Sequence, residues 1–327
     1  MDALFNVEGL KKYYDLGKQK VEGVSERQIL HAIDGVSFEL FEGENLGVVG
    51  ESGSGKSTLG RCMIGLIEPT EGSITYRGTE VARLRSSDVK ALRREMQMVF
   101  QNPSSSFNPK KTLGKALYDI AHLNGLSNTQ ATERINELLS YVNLDRQVLS
   151  ARSNGLSGGQ LQRLAIVRAL LPGPKFIMAD EPVSALDVSV QAQILALFND
   201  MKAEFGLTVL FISHELTVVE HVCDRVIVMY LGQIVEMAPT ATLFAAPTHP
   251  YTRSLLASKP KEYPEEEKIY EPLVGEIPTA VGDAQGCRFT SRCPQAREGL
   301  CAQQRPQLTE IAPDHWVSCL LVGAGRE

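Results

Sequence analysis

Short apolar runs alternate with segments of helical period through roughly the first 235 residues of the chain. Asn45–Gly50, Met96–Phe100, Lys175–Ala179, Leu207–Ile212 and Arg225–Tyr230 read as strands. Ser57–Ile67, Ser157–Leu171 and Val188–Phe205 read as helices. In the last of these, Val190, Ile194, Leu197, Met201 and Phe205 recur at steps of four, three, four and four, which places them on one face. The alternation predicts an α/β fold, a sheet packed by helices. Residues 104–155 are mostly helical in pattern and interrupt it, as an inserted helical subdomain does. Residues 15–28 form a long excursion between the first two strands and receive no role.

The pattern changes after residue 238. Ten of the sixteen prolines lie beyond it. Proline lacks a backbone donor and fixes φ, so this tail is expected to be rich in loops, without long helices or central strands. Glu265-Glu266-Glu267-Lys268 reads as a solvated linker within it. The resulting division is an α/β domain over 1–238 and an extension over 239–327.

Composition narrows the function classes. The 327 residues carry a formal net charge of −6 and are 43% hydrophobic, so a basic footprint for nucleic acid is absent while a large core is affordable. The start, Met1-Asp2-Ala3-Leu4-Phe5, lacks the regions of a signal peptide, and no apolar run reaches the roughly 18 residues that cross a bilayer. The expectation is a cytosolic chain that reaches a membrane only by docking on proteins that span it. Of the six cysteines, Cys62 and Cys223 sit in apolar helical surroundings and read as buried thiols. Cys287, Cys293, Cys301 and Cys319 crowd the tail, which in a reducing compartment points to metal rather than disulfides.

Gly50-Glu51-Ser52-Gly53-Ser54-Gly55-Lys56-Ser57 fits the G-x-x-x-x-G-K-[ST] phosphate loop, between an apolar strand and a helix that begins at Ser57-Thr58. Gly50, Ser52, Gly53, Ser54 and Gly55 turn backbone N–H groups onto phosphate oxygens, and the helix start through Thr58 adds its positive end. Lys56 neutralises the β- and γ-phosphates, and the Ser57 hydroxyl ligates Mg²⁺. Phe176–Ala179 is an apolar strand ending in Asp180 and Glu181, where carboxylates reach the ligand-binding edge of such a sheet. Asp180 is expected to hold Mg²⁺ through water, and Glu181 to act as general base on the attacking water. Leu156-Ser157-Gly158-Gly159-Gln160 opens a helix. Ser157 fits its N-cap, and the glycines allow close backbone approach to an anion. A lone nucleotide site has no need of this second helix start, so the pair suggests an ATPase whose sites form between two subunits.

These segments resemble the ATP-binding-cassette ATPases of transporters, and most closely the ATP-binding subunits of bacterial oligopeptide and dipeptide permeases, over essentially the whole chain. The resemblance implies a P-loop nucleotide-binding domain with a RecA-like sheet core, an antiparallel β subdomain and a helical subdomain. It implies that Gln101, in Met98–Pro103, contacts Mg²⁺ and the lytic water, and that His214 senses the γ-phosphate. It implies that Ser184-Ala185-Leu186-Asp187 crosses a dimer interface, and that Tyr14, or alternatively Tyr13, stacks on adenine. Two departures are visible. Leu161 stands where relatives often carry a polar residue, and Glu215 follows His214 where Asp is usual.

His249–Leu256, Gly275–Pro278 and the segment Gly286–Pro294 also resemble the peptide-permease branch. Four thiolates suit a tetrahedral zinc or an iron–sulfur cluster, but the cysteine spacing is not the paired C-x-x-C of a zinc ribbon. The resemblance favours a [4Fe–4S] cluster, with zinc as the alternative. It further implies ATP and Mg²⁺ as ligands and a peripheral position on the cytoplasmic face of the bacterial inner membrane. The implied partners are a second ATPase subunit, identical or different, two transmembrane permeases, and an external solute-binding protein acting through them. Peptides lead as cargo. Nickel chelates, glutathione, opines and sugars are the alternatives within the resemblance, and a soluble cassette ATPase is the rival outside transport.

Overall fold

Val36, Phe38 and Leu40 are buried while Ser37 and Glu39 between them are exposed, the period of two that a strand with one covered face requires. They lie in Val24–Phe41, which pairs antiparallel with Ala3–Val21 as a long ribbon. The ribbon takes in most of the excursion at residues 15–28: Asp15 pairs with Ile29 and, after a register shift, Lys18↔Arg27 continues to Val21↔Val24. The computed structural model describes residues 2–21, 24–83, 86–257, 273 and 275–322, and the expected linker Glu265–Lys268 lies outside them.

Two compact units are present. The first comprises Met1–Phe41, Leu46–Ala82 and His214–Glu327. Its antiparallel sheet runs Val24–Phe41, Ala3–Val21, Glu71–Tyr76, Thr79–Glu80. A second sheet pairs Leu46–Val49 in parallel with Arg225–Val228. Gln233–Pro239 then adds antiparallel, followed by His315–Val317 and Thr309–Ala312. Asn45–Val49 is buried at every position, as a strand covered on both faces must be. The helix Lys56–Met63 follows the loop after it, and stops short of the expected Ile67 because Gly65 turns left-handed at φ +67°.

The second unit comprises Glu42–Asn45 and Arg83–Ser213. Met96–Val99, Phe176–Asp180 and Thr208–Ser213 form a parallel ladder, within one residue of the predicted strands at each end. Val188–Phe205 is helical as expected, with Ile194, Leu197 and Met201 buried, and Phe198 joins them edge-on to Phe211 at 5.3 Å. It ends at Gly206, a left-handed cap. The insert holds the helices Leu113–Leu123 and Asn128–Tyr141, the second closed by a Ser127/Gln130 capping box. Among the described residues no helix is long and apolar enough to cross a membrane.

The described part of the tail carries short elements between its loops. Pro250 opens the helix Pro250–Ala257, the one position where its missing N–H costs nothing. Tyr251 and Phe289 pack with Tyr230 at ring distances of 4.7–5.4 Å. Glu236, fully buried, accepts the N–H groups of Thr248 (2.8 Å) and His249 (2.9 Å) and lies 2.8 Å from His315 Nε2. Burial pushes the His249 imidazole down to about 3, and its Nδ1 accepts the Tyr251 N–H at 3.0 Å. Glu236→Ala strands all three of the carboxylate's donors. It is expected to lower stability by about 3 kcal/mol, read as a lower urea midpoint at unchanged slope, and a loss under about 1 kcal/mol would contradict the arrangement.

Candidate functional site

The phosphate loop is shaped by what surrounds it. A Cβ on Gly50 would lie 2.2 Å from the Met229 carbonyl oxygen, and one on Gly55, at φ +101°, would lie 2.3 Å from that of Ala32. Both contacts are backbone and cannot give way, so only glycine lets the loop pass between these strands. Lys56 is buried, and its ammonium donates to the carbonyls of Gly50 (2.7 Å) and Glu51 (2.9 Å), with Ser54 Oγ at 3.5 Å. The loop thereby holds a positive charge at its centre. Ser54 is buried, Ser52 and Gly53 are exposed at the crest, and Ser57 and Thr58 are half-buried in the first helical turn.

In the second unit, Asp180 ends its strand buried. Glu181 follows at φ +48°, a left-handed conformation that a glutamate adopts only against a cost. Its N–H donates to the Ile212 carbonyl at 3.0 Å, and its Oε2 accepts Gln101 Nε2 at 2.9 Å. Gln101 and Glu181, eighty residues apart, are thus brought together.

Ser157 caps its helix reciprocally. Its Oγ accepts the Gln160 N–H (3.3 Å), while Gln160 Oε1 accepts the Ser157 N–H (3.1 Å). Ser157, Gly158 and Gln160 remain exposed. A Cβ on Gly159 would meet Val190 Cγ1 at 2.6 Å, so this glycine serves close packing inside the chain. Leu161 is buried, which accounts for its departure from a polar residue. Asp187 caps Val188–Phe205, accepting the Val190 N–H at 3.0 Å and the Ser189 hydroxyl at 2.8 Å. The Val190 N–H bond leads in holding its carboxyl below the ordinary range.

The two tyrosine candidates differ. Tyr13 stacks on His31 at 4.0 Å and donates to Asp34 Oδ1 at 2.7 Å. Tyr14 is half-exposed, with Lys12 Nζ 5.1 Å from its ring centre. His214 is exposed, its Nε2 3.6 Å from Glu215. Glu215 occupies the N-cap of Leu216–Val222 but makes no side-chain cap, which the shorter Asp does more readily.

Cys287, Cys293, Cys301 and Cys319 line one pocket with His249, Pro250 and Phe289. Among the described residues, no three or more His, Cys, Asp or Glu are grouped as ligands to a single ion. Burial raises the thiols of Cys287 and Cys319 and pushes Cys293 up to about 11. Beside this pocket lies a feature the motifs did not disclose. Arg292 grips the loop's Glu51 with two hydrogen bonds, 2.6 and 3.1 Å, and Tyr251 Oη accepts the Glu51 N–H at 2.9 Å. Arg288 reaches Asp34 Oδ2 at 2.8 Å. The signal was present in Cys287-Arg288 and Arg292-Cys293, a cation beside two of the four tail cysteines, and in a loop carboxylate that needs a partner.

The ABC transporter family profile matches residues 33–184, and the profile of the oligopeptide/dipeptide transporter C-terminal region matches 235–301. Over 318 residues the chain is 44% identical to a putative peptide import ATP-binding protein of Brucella ovis, covering 97% of both chains. It is 45% identical to the putative oligopeptide transport ATP-binding protein YkfD of Bacillus subtilis, covering 97% of this chain and 95% of the relative. With the oligopeptide transport ATP-binding protein AppF of the same organism it shares 42% identity over 98% of each. Among solved structures, cbiO1 of Clostridium perfringens, part of an ABC transporter complex, gives a TM-score of 0.64 at 25% identity, covering 75% of this chain and 92% of that one. The dimeric bacterial ABC transporter cassette MJ0796 gives 0.63 at 28%, covering 72% and 98%. With relatives this close along nearly its whole length, the chain belongs to the ATP-binding proteins of ABC transporters, in the branch that carries the oligopeptide/dipeptide transporter C-terminal region.

Proposed function

We propose that this ABC ATPase powers import of di- and oligopeptides through two transmembrane permease subunits, on the cytoplasmic face of a bacterial inner membrane. The names of its full-length relatives support the cargo. A second ATPase chain, identical or different, completes the active form, and an external solute-binding protein delivers peptide to the permeases. Residues 1–238 form the working cassette, and residues 239–327 a permease-type extension. The helical insert at about 104–155 passes the motion of the cassettes to the permeases.

The observation that carries the catalytic reading is the 2.9 Å bond from Gln101 to Glu181. It holds in place the carboxylate that takes the proton. Phosphates of ATP settle on the N–H groups of Gly50, Ser52, Gly53, Ser54, Gly55, Lys56, Ser57 and Thr58, and the Lys56 ammonium turns from loop carbonyls to the β- and γ-oxygens. Tyr14 stacks on adenine. Mg²⁺, when bound, neutralises the developing charge, and Ser57, Gln101 and Asp180 supply hard oxygen ligands for it, directly or through water. Water oxygen bonds to the γ-phosphorus, the bond from that phosphorus to the bridging oxygen breaks, and the water proton passes to Glu181. His214 contacts the γ-phosphate. Ser157, Gly158, Gly159 and Gln160 close on ATP held by the other subunit, with Asp187 at the same interface. Their exposed, capped helix start supports that role.

The extension holds a [4Fe–4S] cluster through Cys287, Cys293, Cys301 and Cys319. Four soft donors brought to one pocket from separate loops support this reading, and a bound cluster supplies folding energy that a proline-rich segment lacks. Iron and acid-labile sulfide on anaerobically purified protein are expected at about four each per chain. One zinc and no sulfide would contradict the cluster.

Glu181→Gln removes the proton acceptor. Steady-state hydrolysis in the assembled transporter is expected to fall by about a hundredfold or more, with ATP retained unhydrolysed on the protein. Turnover within about threefold of the parent would remove Glu181 from that role.

A further inference from the structure

We propose that Arg292, seconded by Arg288, is a positioning residue for ATP: the cysteine-bearing tail holds the phosphate loop in its binding shape and cancels the Glu51 charge within it. The inference rests on the reading of Gly50–Ser57 as the triphosphate site. Glu51 stands second in that loop. Its carbonyl holds the Lys56 ammonium at 2.9 Å and accepts the Ser54 N–H at 3.2 Å, so its backbone helps set the positions of both. Among the described residues, the tail adds three further hydrogen bonds to it. Tyr251, fully buried, accepts its N–H, and Arg292, whose side chain is only 5% exposed, takes both carboxylate oxygens. A fork of this kind fixes direction as well as distance.

Arg288 makes the second hold. It donates to the Leu231 carbonyl and to Asp34. The next residue, Gly232, donates its N–H to the Ser54 carbonyl at 2.9 Å and accepts that of Asp34 at 2.9 Å. Arg288 therefore braces the turn on which the middle of the phosphate loop rests. Asp34 also accepts the hydroxyl of Tyr13, the neighbour of Tyr14. The tail thus reaches both the phosphate end and the adenine edge of the site from residues adjoining Cys287 and Cys293.

Charge sharpens the argument. A triphosphate brings several negative charges onto a loop that already carries a carboxylate. Paired to Arg292, Glu51 contributes little repulsion; unpaired and partly buried, it opposes the ligand. Loss of the arginine should weaken binding for two reasons, and only one of them is removed by also neutralising Glu51.

The test is equilibrium displacement of a fluorescent Mg-ATP analogue by ATP on the full chain carrying Glu181→Gln. Arg292→Leu is expected to weaken ATP at least about fivefold. Arg292→Leu with Glu51→Gln should regain part of that loss but not all of it, and Arg292→Lys, which keeps charge without the fork, should fall between the parent and Arg292→Leu. In the assembled transporter with Glu181 intact, Arg292→Lys should raise KM for ATP more than it lowers kcat. Circular dichroism establishes that each variant is folded, and if Arg292→Leu is not, Arg292→Lys carries the test alone. Parental ATP affinity in the folded single variants overturns the proposal. So does a double variant as weak as Arg292→Leu, since the arginine would then serve the fold alone. Failure of the parent itself to bind ATP would instead refute the phosphate-loop reading.

Discussion

The structure turns on a loop that must pass between backbones without a side chain in the way. Gly50 and Gly55 lie where an added carbon would strike the carbonyls of Met229 and Ala32. That crowding bends the chain after Val49 into a loop whose Gly50 and Glu51 carbonyls face the Lys56 ammonium. Much of the first unit braces this loop. The buried parallel strands supply its base, the Leu231–Gly232 turn supports its middle, and the tail grips its second residue.

Capping organises the other unit in the same manner. Ser157 and Asp187 each satisfy N–H groups at the start of a helix, and Gly159 lets the first of these helices pack on the second. The outcome is an exposed helix start with fixed geometry, suited to meeting an anion held elsewhere. Glu181 sits in a strained backbone conformation and is tied through both its N–H and its carboxylate. Strain of that kind persists only where neighbours enforce it. It aims the carboxylate, and Gln101 shares the aiming.

Most of the cassette was legible in the chain because its signals are local. Strand runs, the glycine pattern and the acids after Ala179 lie in adjacent residues, so the predicted strands end within a residue of those observed. The capping box Ser157–Gln160 is equally visible as S-x-x-Q. The pairing of 15–21 with 24–29 was not legible, since the polar run there offers no apolar alternation. Nor was the clamp, whose partners Glu51 and Arg292 are separated by 241 positions and carry no motif. The four cysteines point in sequence to a metal; they share a pocket, but among the described residues no three or more ligands are grouped on a single ion.

The central claim is that ATP is clasped between the phosphate loop of one cassette and the helix start Ser157–Gln160 of another. Sedimentation velocity on the Glu181→Gln chain with its partner cassette and Mg-ATP, with and without Ser157→Arg, tests it most directly. The account predicts a closed dimer that the arginine abolishes, while ATP still binds the separated chain. A dimer that forms equally well with Arg at 157 would contradict it.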